Sequence, residues 1–502
     1  MRSAIIIGGG VAGIAAGCAL ADAGVRVEIV EKRPMLGGRA SSFVDGKTGE
    51  ILDECQHGTM RCCTNLADLL ERLGVHDRIR YFSALHFLDG DGTRSVIDSC
   101  GLPAPLHTSL SFLLFRSLGL RDKIAIGRAM LAMLRAAPGP EWDGIDAASW
   151  FVRQGQTERA VSRFWRPILV SACNEEPERI SCTHAFKIFR DGFLAHPLAY
   201  QFGVPRVPLG VLYTEPALAY LKARGGCVRL RSTVDAIEFE GGPNGRVAGM
   251  TLQNGERLTA DTYVSALQFD LLLKLLPAEI TSGVPYWENL RGIELSPIMG
   301  VHLWFDRPID CPPALAILDR PTEWIFNKTS LFDYGGTEKE SNAPEVVNRS
   351  GGGADLEGGA YEHVPLSGEG QTYLSLVMSA SRRYAGMPQE EIVAMALGDV
   401  TACLPEAREA KLLRSRVIRW PKATISPKPG VDALRPDQRS PLSNLYVAGE
   451  WTQTGWPSTM EGAARSGYLA AQYLLEDAGT PKKILAPDLP PSWLTRLLGR
   501  GF

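Results

Sequence analysis

The sequence predicts an α/β fold organised around a parallel sheet, and three observations near its start predict it. Ala4-Ile5-Ile6-Ile7 is a short β-branched run suited to a strand buried on both faces. Gly8-Gly9-Gly10-Val11-Ala12-Gly13 follows at once, and Ile14 to Ala23 then reads as a helix closed by Gly24. A second strand, Val25 to Val30, ends on an acid, Glu31, 23 positions after Gly8. Strand, glycine turn, helix, strand and acid in this order make a Rossmann-type dinucleotide-binding unit.

Each part of the unit has a task. Gly8 permits the tight turn out of the strand, Gly10 lets backbone approach a pyrophosphate, and Gly13 lets the helix pack near the sheet. The phosphates then face the positive end of the helix. Glu31 accepts hydrogen bonds from ribose hydroxyls and repels a 2′-phosphate, which favours FAD or NAD over NADP. Ala12 in the turn and Lys32 beside the acid join these residues as cofactor-binding candidates.

Length and composition bound the rest. A chain of 502 residues exceeds a single core, so at least two domains are expected. Charged residues are 22% and the net charge is −3, which gives no general attraction to nucleic acid. The chain opens straight into a strand, without the basic and apolar regions of a secretory signal, and has no uninterrupted apolar run of spanning length. The expectation is a cytoplasmic protein able to touch the inner face of the cell membrane. Ten cysteines are scattered without Cys-x-x-Cys spacing, so reduced thiols and no metal site are expected.

Phe43 to Leu52 reads as a hairpin, since Asp45-Gly46 and Thr48-Gly49 are turn signals, and Asp53 to Gly58 then leads into a helix ending near Leu73-Gly74. Leu102 to Arg135 sets apolar residues among Arg116, Arg121, Lys123, Arg128 and Arg135, a pattern that fits either a membrane-interface helical pair or a helical core. A helix is expected from about Glu215 to Ala223, followed by strands between Cys227 and Leu267. Val301 to Phe305 and Thr372 to Met378 read as strands, and Tyr334 to Gly370 between them as a mobile surface insertion. Asn444 to Glu450 reads as a strand ending in Gly449 and an acid, before a helix opening at Ser458-Thr459-Met460.

These motifs carry a resemblance. Leu36-Gly37-Gly38-Arg39 resembles the element that trails the dinucleotide fingerprint in the amine oxidase and phytoene desaturase superfamily of flavoproteins. The resemblance implies FAD, with Gly38 and Arg39 near its pyrophosphate, Val234 laying backbone against adenine, and Gly449 and Glu450 at the ribityl chain. Ser458, Thr459 and Met460 would then bring a helix N-terminus to the flavin ring. The usual residue at the Glu450 position is aspartate. It also implies a discontinuous FAD-binding domain (1–75, 215–271 and 415–478), a mixed α+β substrate and membrane-associating domain (76–214 and 272–414) and a tail (479–502).

Within that superfamily, Gln56-His57, the run Pro167 to Asn174 followed by Phe186 to Leu194, and Gly449 to Ala463 look like the hydroxysqualene dehydroxylases of hopanoid pathways. That family is implied to replace an allylic hydroxyl with hydride from reduced FAD, giving squalene. Its partners would be a triterpene substrate, an electron donor and a membrane surface. His57, Gln56 and Asp191 are the catalytic candidates, His57 first, because a leaving hydroxyl must be protonated. Asp191 reads more readily as a salt-bridge partner of Arg190 or another cation, and Trp304 and Trp456 equally as tunnel walls or packing residues. The alternative is a carotenoid desaturase of the phytoene or ζ-carotene type. An amine oxidase and a non-catalytic flavin-bound membrane adaptor come after it.

Overall fold

A computed structural model describes residues 3–137, 139–332 and 370–501. The expectation for Tyr334 to Gly370 therefore lies, but for Gly370, outside the described residues. The sheet foretold by the N-terminal strand is five-stranded and parallel, in the order Cys227–Arg229, Arg26–Val30, Ser3–Ile7, Thr262–Ser265, Leu445–Val447. Its strands alternate faces with the period of two that extended backbone imposes. Ala4 and Ile6 pack against the helices Val11–Asp22, Leu209–Lys222 and Met460–Asp477. Ile5 and Ile7 pack on the other side, towards the antiparallel strands Val234–Glu240, Arg246–Leu252 and Arg257–Leu258.

Two helices from opposite ends of the chain meet over this sheet. A Cβ at Gly467 would stand 2.2 Å from the Ala12 carbonyl oxygen, so the helix Met460–Asp477 approaches Val11–Asp22 backbone to backbone. That contact brings the C-terminal segment to the glycine turn.

A second sheet has seven strands, in the order Leu412–Ile425, Leu295–Phe305, Thr372–Met378, Trp324–Asn327, Ala314–Ile317, Leu85–Leu88, Arg94–Ile97. It is antiparallel except where Ala314–Ile317 runs parallel to Leu85–Leu88. Beside it lies a helical layer with an aromatic core of Trp150, Phe151, Phe164, Trp165, Phe186 and Phe189.

Two expectations need correction. The helix expected from about Glu215 begins at Leu209 and passes through Pro216. Its first amides are capped from far away: Leu209 N–H donates to Asp53 Oδ1 at 2.8 Å and Gly210 N–H to Ser42 Oγ at 2.8 Å. Sequence-local signals cannot show such a cap. Leu102 to Arg135 also divides: Ser109–Leu113 is a single short turn, and only Leu120–Arg135 is a full helix.

Candidate active site

The glycine turn and the Gly37-Gly38-Arg39 element lie side by side. Gly37 N–H donates to Gly9 O at 2.8 Å, and a Cβ at Gly38, whose φ is +64°, would reach 3.0 Å from Gly10 Cα. Gly13 is fixed by a harder contact, since its Cβ would fall 2.0 Å from Gly8 O. A Cβ at Gly10 would find only Gly38 Cα, at 3.8 Å, so this turn faces open space. The first-turn amides of Val11, Ala12 and Gly13 have no acceptor within their own helix and border that space.

Glu31 is buried at the end of its strand. Its carboxylate accepts from Gly9 N–H at 2.7 Å and Arg33 N–H at 2.8 Å, so it braces the glycine turn as well as offering lone pairs to a ribose. Lys32 is exposed beside it. Ser232 N–H donates to Glu31 O at 2.9 Å, which brings the segment leading into Val234 alongside the acid.

The Arg39 guanidinium donates to Glu450 Oε2 at 2.5 Å and to Ala423 O, on the strand Leu412–Ile425, at 2.6 Å, which uses two of its five N–H groups. Glu450 is buried, and its Oε1 has no hydrogen-bond partner among the described residues. An orphaned buried carboxylate oxygen calls for a donor. Gly449 N–H is held by Ser466 Oγ at 2.8 Å, and Ser458 Oγ accepts from Ile425 N–H at 3.3 Å. Thr459 caps the long helix by accepting from Gly462 N–H at 3.1 Å, with Met460 as first helical residue. A ligand with hydroxyl donors at one place and anionic phosphates at another fits this cradle, and FAD has both.

The catalytic candidates separate. His57 Nδ1 lies 3.0 Å from Cys55 O; a carbonyl can only accept, so Nδ1 carries the proton and Nε2 is the free lone pair. Burial pushes the imidazole below its ordinary pKa, against the pull of the Cys55 carbonyl and Asp53. His57 is therefore neutral at pH 7, with Nε2 as an acceptor. Gln56 is buried, donates to His57 O at 2.9 Å, and leaves its Oε1 without a partner among the described residues. Asp191 pairs with Lys187 at 2.5 Å, one helical turn away, and that lysine sits 4.8 Å over the Trp456 ring. The expected partner Arg190 instead donates to the carbonyls of Met133, Ala136 and Arg500.

Trp304 and Trp456 are packing residues. Trp304 stacks on Tyr373 at 4.5 Å with Arg414 3.9 Å over its ring, and Trp456 is buried against Cys62 and Ala199. The apolar approach is built from other residues. A small cleft of about 30 Å³ is lined by Phe82, Leu85, His86, Phe202, Pro313 and Trp324. Phe202 stacks on Trp324 at 5.2 Å, and its ring edge presses onto Gly58, where a Cβ would stand 2.2 Å from Phe202 Cζ. Aromatic surface thus leads from the cleft to the residue next to His57.

Sequence reasoning missed Gly58 and Phe202, and it missed Asp53 and Lys328. Lys328 Nζ and Asp53 Oδ2 are 2.7 Å apart with both side chains 1% exposed. The Asp53 carboxylate also takes Ser42 Oγ–H and Leu209 N–H, so one buried anion ties the hairpin, the helix Leu209–Lys222 and the second sheet together just before the His57 segment. The only sequence signal was an acid in an apolar strand end.

Comparison with known proteins agrees with this cradle. The family model for flavin containing amine oxidoreductase matches residues 11–475. The chain is 27% identical to a ζ-carotene desaturase of Zea mays over 96% of its own length and 84% of the relative's. It is 26% identical to the 15-cis-phytoene desaturase of Synechococcus elongatus, covering 95% of this chain and 96% of that one. Among solved structures, an oxidoreductase from Methanosarcina mazei superimposes with a TM-score of 0.66 at 18% identity, covering 94% of this chain and 100% of that one. Both named enzymes are carotenoid desaturases, so the finer resemblance to hydroxysqualene dehydroxylases finds no support in them. The chain belongs to the flavin-containing amine oxidoreductase family and is an FAD-dependent oxidoreductase.

Proposed function

We propose that the protein exchanges hydride between FAD and a long polyisoprenoid hydrocarbon, in the direction of desaturation, as a carotenoid desaturase does. The observation that carries this reading is the aromatic surface running from the cleft through Phe202 to Gly58 and His57. Such a wall binds an extended apolar chain by area and by ring faces, without polar recognition. The similarity to carotenoid desaturases along nearly the whole chain supports the same substrate class. FAD supplies the hydride acceptor. The chain's own residues exclude water, hold the hydrocarbon, and present neutral His57 Nε2 as the acceptor for the proton lost from the neighbouring carbon. Desaturation needs a base at that point, and His57 is in the form of a base.

A second reading, reductive removal of the hydroxyl of hydroxysqualene, is favoured by one observation. Gln56 Oε1 is a buried acceptor without a donor among the described residues, and a hydrocarbon offers it none, whereas an alcohol does. Purified protein, kept anaerobic, separates the two. Oxidised enzyme with phytoene and a quinone should yield a desaturated polyene and a reduced quinone. Conversion of hydroxysqualene to squalene by the reduced enzyme, without turnover of phytoene, would replace the first reading by the second.

The substrate class implies a lipid surface from which it is drawn. No described helix is long and apolar enough to cross a membrane. Leu110, Leu113, Leu114, Leu120 and Ile124 are exposed on and around the helix Leu120–Arg135, and Trp493 and Leu497 on the adjoining helix Trp493–Leu498. Arg116, Arg121 and Arg496 stand exposed among them. We assign this apolar, basic face to peripheral attachment on anionic lipid.

A further inference from the structure

We propose that Asp143, His184 and Asp432 form a site for one divalent transition-metal cation of the Mn²⁺ or Zn²⁺ kind, clasping the helical layer to the C-terminal segment that carries Glu450. The three side chains come from separate elements. Asp143 follows the short turn Pro140–Trp142, His184 lies in the first turn of the helix Cys182–Phe189, and Asp432 lies in the loop between the last strand of the second sheet and Leu445–Val447. One ligand atom from each lies within 4.8 Å of the others. Two carboxylates and one imidazole make a hard-to-borderline donor set of the kind these metals take, with coordination positions left for water.

Two further observations point to a missing ligand. His184 is 2% exposed, and its Nε2, 3.3 Å from Asp432 Oδ1, makes no hydrogen bond of normal geometry. Asp143 Oδ1 is also buried without a hydrogen-bond partner among the described residues. A buried imidazole nitrogen without a hydrogen bond, facing carboxylates, is what a cation satisfies. Asp432 also meets Arg435 Nη1 at 3.0 Å, and Arg435 Nη2 donates to the carbonyls of Glu450 and Thr452. A carboxylate has acceptor capacity for both the guanidinium and a metal.

The test uses the FAD-loaded full chain, stripped with chelator and titrated with Mn²⁺, then with Zn²⁺. Bound Mn²⁺ is read by electron paramagnetic resonance, bound Zn²⁺ by elemental analysis, and Tm is measured in parallel. About one equivalent of metal per chain with a rise in Tm is expected. Asp143→Asn and His184→Gln should each weaken uptake by about tenfold or more, while His196→Gln should not. Asp143 is only partly buried, so Asp143→Asn carries the test if His184→Gln fails to fold. No stoichiometric uptake of either metal by the wild type, or equal uptake by Asp143→Asn, overturns the proposal.

Discussion

The two sheets are held together by different physics. The five-stranded sheet is packed by small and β-branched side chains, and its tightest contacts are backbone against backbone, at Gly13 and Gly467. The seven-stranded sheet buries ionisable groups: Lys328 with Asp53, Glu323 under Ser379, and His302 against Tyr373. The first arrangement tolerates no added atoms at these crossings. The second depends on which ionisable groups keep their partners. The lesson is that the two sheets rest here on separate kinds of stability, and mutations can set them against each other.

The largest expected effect comes from breaking the buried pair. Lys328→Met leaves Asp53 ionised and unpaired where water cannot reach it, and should cost about 3–5 kcal/mol in denaturant unfolding. Asp53→Asn on top of it keeps an acceptor for Leu209 N–H and removes the stranded charge, so the double variant should recover much of the loss. If Lys328→Met costs no more than a surface substitution, the ion pair does not hold the two regions together.

The same contrast decides what the sequence reveals. Glu31, Gly13 and the helix Met460–Asp477 follow from local spacing, because turns, caps and helices are local and the Rossmann geometry demands glycine at set places. Lys328 is 275 positions from Asp53, and nothing near either residue announces the other. Asp191 pairs with a cation, as its salt-bridge reading expects, but the cation is Lys187, one turn behind it, and only the fold shows which way the side chain leans. Gly58 reads as an ordinary loop glycine until Phe202 is seen pressed on it. His57 was found from a family-like pattern, but its protonation state required Cys55 O.

Two further groups in the second sheet give a pH test. Burial lowers His302 to about 4, so its contribution is complete above pH 6.5 and is lost as pH falls towards 4. Burial raises Glu323 to about 8, so its contribution is complete below the ordinary carboxylate range and is lost as pH rises towards 8. Between about pH 4.5 and 6.5 the slopes oppose, each at most about 1.4 kcal/mol per pH unit. The wild-type profile should be nearly flat there. Glu323→Gln should expose a loss of stability of up to about 3 kcal/mol on acidification across that window, and His302→Gln a loss on alkalinisation. Parallel profiles in both variants would show that neither group titrates out of its ordinary range.

In the first sheet the corresponding test is one methyl group. Gly467→Ala puts a Cβ 2.2 Å from Ala12 O and 2.8 Å from Ala16 N, and the helices must part. We expect a cost of about 1–3 kcal/mol, independent of pH, with FAD retention falling more than stability because the displaced helix carries Met460 and Ser466. Retained flavin at wild-type occupancy would mean that the close crossing is not what positions the C-terminal half of the cradle.

The smallest effect on stability is expected where neither kind of packing operates. Leu114 and Leu120 are 70% and 71% exposed, whereas Ile126, Ala129 and Met133 on the same helical stretch are buried in the aromatic core. Leu114→Gln with Leu120→Gln removes apolar area that the folded chain already leaves in water, so unfolding free energy should change by under about 0.5 kcal/mol. Lipid binding should respond in the opposite proportion. Full burial of a leucine contributes about 1.5–3 kcal/mol, so losing two partly inserted side chains should weaken cosedimentation with anionic vesicles by roughly tenfold or more. Hydride transfer to a water-soluble electron acceptor, with substrate supplied in detergent, should be unchanged. Arg116→Gln and Arg121→Gln together should instead flatten the salt dependence of vesicle binding while leaving its apolar part. Undiminished vesicle binding by the leucine double variant would remove this face from the membrane and leave its exposed leucines without a role in substrate uptake.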